Sequence, residues 1–468
     1  MTPLQIFKEI SKIPRGSGNE KAISDYLVEF GKKYDLEARR DVALNVVIYK
    51  PGTAGYEDHP AIVLQSHMDM VCEKNADTEH NFLIDPISLR QEGDFLYASG
   101  TTLGADNGAG MALSMAVLAS TDVAHPPLEV VFTAEEETTM KGISALDARW
   151  ISARRMINMD SGNDTTFCVG CAGGGRLLFT VPVEKEALSA GMQCYTLSVR
   201  ELSGGHSGGQ IHLGKANSIR ILGRALKALP DMRIISVNGG LKANAIPREA
   251  DAVITLPDVD KAKQLLAELQ TVLRSEYRVP DPDITLSLTP AEAKPEAFSK
   301  SSGDKLMTAM LLIPFGVIHM SYDIPGLVET SNNIGVMETL ENAVTLECAL
   351  RSSVPSRRNL VRLQIEALAE GIGCDVEFGN GYPGWTYNPD SPLLAKAIAT
   401  YRQLNGEDPK ILSVHAGLEC GFMLEKIPDM DIVSYCCKIF DAHTPNEHMD
   451  LPSLDRAWNY TVELLKQL

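Results

Sequence analysis

The first third of the chain alternates short apolar runs with helical stretches. Apolar runs of this length that end in polar residues are typical of buried strands. They lie at residues 44–49, 61–64, 128–132 and 156–159. A helical stretch at 108–120 separates two of them, and strands that alternate with helices predict an α/β domain built on a mostly parallel sheet.

The same pattern returns near the end of the chain. Ser391 and Pro392 are suited to the N-cap and the first position of a helix, and Gly406 to the residue just past its end. An apolar strand follows at 431–437. We therefore expect the last residues of the chain to complete the α/β domain.

The middle of the chain has a different period. Alternating apolar and polar residues predict antiparallel strands with one solvated face; they lie at 193–201, 249–256 and 343–351. Helical stretches at 215–229, 258–274 and 359–368 would cover the other face. We predict an α/β domain, residues 1–185 and 380–468, interrupted by an inserted α+β domain, residues 186–379.

Composition narrows the function classes. Of 468 residues, 44% are hydrophobic and 22% charged, which excludes disordered, collagenous and small disulfide-rich classes. The net charge is −18 with no long basic block, so nucleic acid and anionic membranes would be repelled. The longest apolar stretch, 309–318, contains Pro314 and Gly316 and is shorter than the roughly 18–20 residues of a membrane span.

The amino terminus and the cysteines indicate the compartment. Thr2, Pro3 and Gln5 form the capping box of a helix rather than a signal peptide. The chain has nine cysteines, an odd number, and without a secretion signal reduced thiols are the default. We expect a globular protein of the cytoplasm.

Polar residues follow the predicted buried strands of the α/β domain, and one group opens its helix. In an open α/β sheet the carboxyl ends of parallel strands share one edge, where ligands bind. The chemistry-bearing residues at these positions are His67, Asp69, Asp106, Glu135, Glu136, Glu137, Asp160 and His443.

Convergence of these residues requires a counter-charge. Asp106, Glu137 and Asp160 would raise each other's pKa until a cation intervenes. Together with His67 and His443 they suit two divalent ions and a bridging hydroxide, which would leave the cleft neutral. Imidazole and carboxylate ligands favour zinc, with manganese or cobalt as further candidates.

A nucleophilic water also needs a base that is not a metal ligand. Adjacent side chains at a strand end point in different directions, so one of Glu136 and Glu137 can face the metal and the other the water. Asp69, two residues from His67, fits an acceptor for the second ring nitrogen of that histidine.

The order of these motifs resembles the M20 family of co-catalytic zinc peptidases. The resemblance rests on Gln-Ser-His67-Met-Asp69, Gly-Ala-Asp106-Asn107-Gly, Phe-Thr-Ala-Glu135-Glu136-Glu137, Ile-Asn-Met-Asp160-Ser and His443-Thr-Pro. Within the family, the segments around Asp106, His415-Ala-Gly-Leu-Glu419-Cys-Gly and His443 are similar to the bacterial aminoacyl-histidine dipeptidases, the carnosine-cleaving branch.

The resemblance implies a role for each residue. Its ligand set for two ions has Asp106 as the bridge, His67 with Asp160 at one site, and Glu137 with His443 at the other. Glu136 would be the general base and Asp69 the partner of a ligand histidine. A cis peptide bond is implied between Asp106 and Asn107.

The inserted domain would act as a lid that helps to bind substrate. The resemblance implies that His206 binds the reacting carbonyl and that Arg351 holds a substrate carboxylate. Asn244 and Glu419 fall in segments that contact substrate in the family. The implied function is hydrolysis of dipeptides, above all Xaa-His, by a cytoplasmic homodimer; an N-acyl amino acid deacylase or a tripeptidase of the same fold is the alternative.

Two other function classes remain open. The segment 205–209 matches the G-x-S-x-G nucleophile elbow of serine hydrolases, with Ser207 as the nucleophile. Its context differs, because an elbow follows a buried strand and leads at once into a helix. A metal-binding protein without catalysis is the other class, and it would have no use for a base such as Glu136.

Overall fold

The computed structural model describes residues 1–189 and 192–468, which form two compact units. The first unit comprises Met1–Gly170, Trp385–Ser413 and Leu418–Leu468. The second comprises Cys171–Gly384 and Val414–Gly417. The predicted domain boundary after residue 379 lies close to the division after Gly384, whereas the one after residue 185 lies past the strand Gly173–Pro182, which is part of the second unit. Both boundaries stay predictions.

An eight-stranded sheet forms the centre of the first unit. In spatial order its strands are Glu37–Arg40, Val46–Lys50, Leu128–Thr133, Ile62–His67, Arg155–Asn158, Asp431–Ser434, Thr166–Cys171 and Lys410–Val414. The four central strands are parallel, whereas Val46–Lys50 and Thr166–Cys171 pair antiparallel to them. The predicted parallel order therefore holds at the centre of the sheet, and every residue of Ile62–His67 and Leu128–Thr133 is buried.

Three helices of the first unit are ones that the sequence predicts: those that begin at Pro3, Ala105 and Pro392. The helices of this unit are Pro3–Ile10, Lys21–Lys33, Ala105–Ala119, Lys141–Ala145, Pro392–Asn405, Glu419–Lys426 and Leu451–Gln467, with a 3₁₀ turn at Ala148–Trp150. The predicted capping box of Thr2 and Gln5 is present, and Ser391 caps the helix that ends at a left-handed Gly406. A small antiparallel sheet also belongs to this unit; in order its strands are Ile439–Phe440, His448–Asp450, Phe95–Ala98 and Leu89–Glu92.

The second unit is built on a nine-stranded sheet whose pairs are antiparallel. In order its strands are Thr285–Ala291, Cys194–Arg200, Ala250–Thr255, Arg233–Gly239, Val328–Thr339, Ala343–Ser352, Gly173–Pro182 and Asp375–Tyr382, and Gly316–Met320 pairs with Val328–Thr339. The three strands predicted from alternation are all present within a residue or two of their expected bounds.

Helices pack on this sheet around an apolar core. They are Ser218–Ala228, Val259–Glu276, Lys300–Leu312 and Pro355–Ile372, with a 3₁₀ turn at Ile211–Leu213. Two short strand pairs complete the unit: Lys185–Ala187 with Glu296–Phe298, and Gly205–His206 with Ala245–Ile246. Among the described residues, no helix combines the length and apolar character needed to cross a membrane. The predicted mixed fold of an α/β part and an α+β part is confirmed.

Candidate active site

Polar side chains gather where the central parallel strands of the first unit end. His67 is the last residue of its strand. Glu137 and Asp160 lie a few residues past the ends of the two strands that flank it. Asp106 lies in the first turn of the helix Ala105–Ala119, and the peptide bond from Asp106 to Asn107 is cis. The shared direction of the strands brings these residues to one edge of the sheet.

Two groups of ligand atoms share Asp106. His67 Nε2 lies 3.2 Å from Asp106 Oδ1 and 3.3 Å from Asp160 Oδ1. His443 Nε2 lies 3.4 Å from Asp106 Oδ2 and 2.9 Å from Glu137 Oε1. In each group of three residues the ligand atoms all lie within 4.8 Å of one another. The structure thus brings together the five residues predicted as metal ligands.

Glu136 belongs to the same cluster. One of its carboxylate oxygens lies within 4.8 Å of ligand atoms of His67 and Glu137. Burial raises the pKa of Glu136 well above its usual range; His67 opposes this rise, and the carboxyl groups of Asp160, Glu419 and Glu137 add to it. A carboxyl group in this environment holds a proton readily. A general base needs this property once it has accepted a proton and before it passes the proton on.

Asp69 joins His67 to the strand end that carries the glutamates. Its Oδ1 lies 3.2 Å from His67 Nδ1, and its two oxygens accept the backbone N–H groups of Glu136 and Glu137 at 3.0 and 3.2 Å. Ser17 Oγ donates to Oδ2 at 2.7 Å. Burial opposes ionisation, but the neighbouring His67 and these hydrogen bonds outweigh it and lower the pKa of Asp69 to about 2. Asp69 is therefore a fixed carboxylate that lies against His67 Nδ1.

The cluster as a whole has excess negative charge. Burial and the neighbouring carboxylates raise the pKa of Asp160 and of Glu137. Hydrogen bonds to Asp106 and Glu137 raise the pKa of His443 to about 10. Although burial opposes a charge on His67, the acidic neighbours raise its pKa well above the usual value. Carboxyl groups and imidazoles alike favour their protonated forms here, because the buried acidic groups repel one another and attract the charged form of the histidines.

The donor set fits two divalent metal ions. Each group of three supplies one imidazole nitrogen and two carboxylate oxygens, and Asp106 contributes a separate oxygen to each. Imidazole and carboxylate are ligands of zinc, and also of manganese and cobalt. Asp441 and His443 both have positive φ, 50° and 65°, and such a conformation in residues other than glycine is typical of functional sites.

A second polar cluster lies in the second unit, around Arg351 in the strand Ala343–Ser352. Arg351 Nη1 donates to Tyr382 Oη at 2.7 Å. Its buried Nε has no hydrogen-bond partner among the described residues. A guanidinium that is held at one end and has an unused buried donor is suited to an anionic group such as a carboxylate.

His206 presents one defined ring nitrogen. Its Nδ1 accepts the backbone N–H groups of Gly208 and Gly209 at 3.2 and 3.1 Å. Burial and the charge of Arg351 lower the pKa of His206. The neutral ring therefore carries its proton on Nε2, from which it can donate to an oxygen atom.

The remaining predicted contact residues have different surroundings. Asn244 is exposed, and its backbone oxygen accepts the N–H of Ser207 at 2.9 Å, so it lies beside His206 in the second unit. Glu419 lies in the first unit and is fully buried. One of its oxygens accepts from Thr133 Oγ1 at 2.7 Å and from Gln65 Nε2, and burial raises the pKa of Glu419 to about 8. Its predicted contact with substrate stays a prediction.

The segment of the alternative serine nucleophile lacks the geometry of an elbow. A strand of two residues, Gly205–His206, precedes Ser207, and only a 3₁₀ turn, Ile211–Leu213, follows it. Ser207 is buried, and its Oγ has no hydrogen-bond partner among the described residues. No base therefore activates this hydroxyl in the part of the chain that the structure describes.

Sequence reasoning missed several residues that contact the predicted site residues. Tyr382 holds Arg351, and Ser331 Oγ lies 2.7 Å from His415 Nε2. Glu447 accepts backbone N–H groups from the segment that leads into Asp106. Glu447 lies two residues past the quoted His443-Thr-Pro, and its acidic side chain four residues after a predicted ligand is the indication that the sequence offers.

Comparisons with known proteins find similar peptidases over nearly the whole chain. The profile of peptidase family M20/M25/M40 matches residues 63–467. The cytosol non-specific dipeptidase of Escherichia coli strain K12 is 38% identical over 99% of this chain and 96% of its own. The crystal structure of the aminoacylhistidine dipeptidase from Vibrio alginolyticus superimposes with a TM-score of 0.93 at 38% identity, and covers 99% of this chain and 96% of that one.

A more distant solved structure shares the fold. The aminopeptidase PepT from Bacillus cereus matches with a TM-score of 0.57 at 15% identity, over 99% of this chain and 97% of that one. The likeness thus extends across the whole chain, through both units.

Proposed function

The chain belongs to peptidase family M20/M25/M40, and on this basis we propose that it is a dipeptidase that uses two divalent metal ions, with zinc as the native metal and manganese or cobalt as substitutes. The observation that carries the proposal is the pair of ligand groups that share Asp106, each with all its ligand atoms within 4.8 Å. Both relatives at 38% identity are named as dipeptidases, which supports the same substrate length.

The metal ligands in this proposal are His67, Asp106, Glu137, Asp160 and His443. Two bound ions would polarise the carbonyl of the scissile peptide bond and lower the pKa of a water molecule toward about 7. Asp69 orients His67 through its Nδ1. The five ligands supply three carboxylate charges, so the ions replace the protons that the cluster otherwise holds.

Glu136 is the general base of the proposal. Its carboxylate takes a proton from the attacking water and passes it to the nitrogen of the leaving amine. Burial and the acidic neighbours raise the pKa of Glu136, which favours the protonated form that the second transfer requires.

Residues of the second unit recognise the substrate. Arg351 binds the terminal carboxylate in bidentate fashion, which restricts the enzyme to short peptides. His206 donates from Nε2 to the oxygen of the reacting carbonyl and stabilises its developing charge. Asn244 is assigned to substrate contact because its backbone holds the segment of His206.

The finer assignments follow the relatives. We propose Xaa-His dipeptides as preferred substrates, because one relative is named as an aminoacylhistidine dipeptidase. A cytoplasmic homodimer is part of the same proposal; the name of the other relative includes the cytosol.

The decisive experiment is a substrate panel on the purified protein. Zinc-, manganese- and cobalt-loaded samples are assayed against Xaa-His dipeptides, other dipeptides, tripeptides and N-acetyl amino acids. We expect cleavage of dipeptides, highest for those that end in histidine. Preferred cleavage of acetylated substrates would instead show a deacylase, and inactivation by a fluorophosphonate but not by a chelator would show a serine hydrolase.

A further inference from the structure

The segment that leads into Asp106 is held by one buried carboxylate. Glu447 is 2% exposed. Its Oε2 accepts the backbone N–H groups of Leu103 and Gly104 at 2.9 and 3.0 Å. Its Oε1 accepts those of Ala105 and Asp106 at 2.8 and 3.2 Å. Four consecutive backbone donors thus converge on one side chain.

Arg15 holds the same segment from the carbonyl side. Its Nη2 donates to the oxygen of Gly104, and its Nη1 donates to the oxygens of Met68 and Asp69 at 3.1 and 3.0 Å. Arg15 therefore joins the chain beside His67 to the chain beside Asp106. Its side chain is among the largest fully buried ones.

Two glycines make room for the Arg15 guanidinium. A Cβ atom at Gly104 would lie 2.7 Å from Arg15 Nη2, and one at Gly108 would lie 2.6 Å from it. Gly104 also has a φ of 69°, which favours glycine. The two glycines, one on each side of Asp106, therefore leave the space that the buried guanidinium of Arg15 occupies.

From this geometry we infer that Glu447 and Arg15 form a clamp, made of these two side chains, that positions the carboxylate of Asp106 between the two metal sites. Glu447 fixes the backbone N–H groups of residues 103–106, and Arg15 fixes the carbonyl oxygen of Gly104. Both are positioning residues, since neither belongs to the ligand groups. The inference rests on the proposed function, in which Asp106 bridges the ions.

The physical reason for a clamp is the precision that a bridging ligand requires. Asp106 would supply one oxygen to each ion, so a small rotation of its backbone would weaken both sites at once. Partners that orient metal ligands typically change metal affinity or activity by roughly 10–100-fold when they are replaced. Glu447 acts on the backbone of a ligand rather than on its side chain, which extends that role to main-chain hydrogen bonds.

Glu447→Gln tests the clamp with almost no change in volume. A carboxamide has one acceptor oxygen, so its NH₂ group would face two backbone donors. We expect metal affinity to fall by roughly 10–100-fold, and the visible spectrum of the fully cobalt-loaded protein to change. Amide exchange at residues 103–106 of the metal-free protein should become faster.

Glu129→Gln is the matched control. Glu129 is also a buried carboxylate of the first unit, and it accepts the backbone N–H groups of Ser152 and Ala153. Its replacement removes comparable hydrogen bonds from a part of the unit that holds no predicted ligand. We expect a lower melting temperature with unchanged metal affinity and cobalt spectrum. If Glu447→Gln does not fold, Glu447→Asp takes its place, because its shorter side chain cannot reach all four donors.

Unchanged metal affinity and cobalt spectrum in the Glu447 variant would overturn the clamp, as would equal losses in the Glu129 control. These readouts do not depend on turnover. A wild-type protein that binds two ions but cleaves no dipeptide would refute the proposed function. The clamp would still be tested by the metal affinity and cobalt spectrum of the Glu447 variant. If the wild-type protein binds no metal, amide exchange at 103–106 decides whether Glu447 holds the segment, and the bridging role is refuted.

Discussion

Histidines of the two units have opposite protonation behaviour because of their neighbours. In the first unit, acidic partners raise the pKa of His67 and His443. In the second unit, burial and the charge of Arg351 lower the pKa of His206, and lower that of His415 to about 4. The first cluster therefore attracts cations, whereas the second keeps neutral imidazoles beside a guanidinium that suits an anion.

Removal of metal from the acidic cluster of the first unit should have the largest effect on activity. We expect chelation to reduce peptidase activity by roughly 10³-fold or more, because the carboxylates and imidazoles of the first unit then bind protons in place of ions. Calorimetric titration of zinc into the metal-free protein, in buffers of different ionisation enthalpy, should show net proton release and tighter binding as the pH rises. Binding without proton release would contradict the protonated state of the cluster.

Replacement of the base should be nearly as severe but leave the metal in place. Glu136→Gln is expected to lower kcat by roughly 10²–10⁴-fold, while metal content stays at two ions per chain. Turnover and elemental analysis are measured on the same sample. Glu135→Gln is the control, because Glu135 is the adjacent acid and bonds to Thr139 and Lys141 instead. Loss of an ion in the Glu136 variant would mean that Glu136 is a ligand.

Substitution of Arg351 tests the anion-binding side of the contrast. Arg351→Met should raise KM for dipeptides by roughly 100-fold and leave the metal content unchanged. This factor corresponds to the loss of about 3 kcal/mol that is typical of a hydrogen bond to a charged group. Dipeptide amides lack the terminal carboxylate, so wild type and variant should cleave them equally poorly. Arg176→Met serves as the control, since Arg176 is an exposed residue that pairs with Glu347 in the same sheet. An unchanged KM would remove Arg351 from substrate binding.

The smallest expected effect concerns the pH dependence of stability. With a pKa of about 4 in the folded protein and an ordinary value of about 6.5 when unfolded, His415 is protonated first in the unfolded chain as the pH falls. Its contribution to stability is full above pH 6.5 and is lost between 6.5 and 4, by up to about 3 kcal/mol.

His415→Gln should therefore flatten the decrease of the free energy of unfolding between pH 7 and 5, measured by urea denaturation. His319→Gln, on the strand Gly316–Met320 of the second unit, is the control and should keep the wild-type slope. Parallel curves for wild type and the His415 variant would show that His415 is not kept neutral.

Local patterns predicted the elements well because each depends on neighbours in the chain. The capping box at Thr2 and the alternating strand at 193–201 are set by residues within a few positions of one another. The direction of the antiparallel strands in the first sheet could not be predicted in this way. The apolar pattern of a strand such as Val46–Lys50 is the same whether it pairs parallel or antiparallel.

The candidate site could be anticipated where it follows strand ends, because a parallel sheet brings those ends to one edge. His67 and Asp160 are of this kind. Glu447 could not be assigned in the same way, since its partner Leu103 lies 344 positions away. Glu419 lies in a motif that the resemblance connects with substrate, yet its side chain is fully buried, a property that only the packing of the helix Glu419–Lys426 determines.

The order of residues along the chain also sets when the site can exist during translation. Four of the five predicted ligands are synthesised before residue 161, but His443 and Glu447 follow the entire second unit. A nascent chain therefore carries an incomplete cluster of predicted ligands until His443 leaves the ribosome. If His443 is a ligand, as proposed, hydrolytic capacity is withheld until the whole second unit has been synthesised.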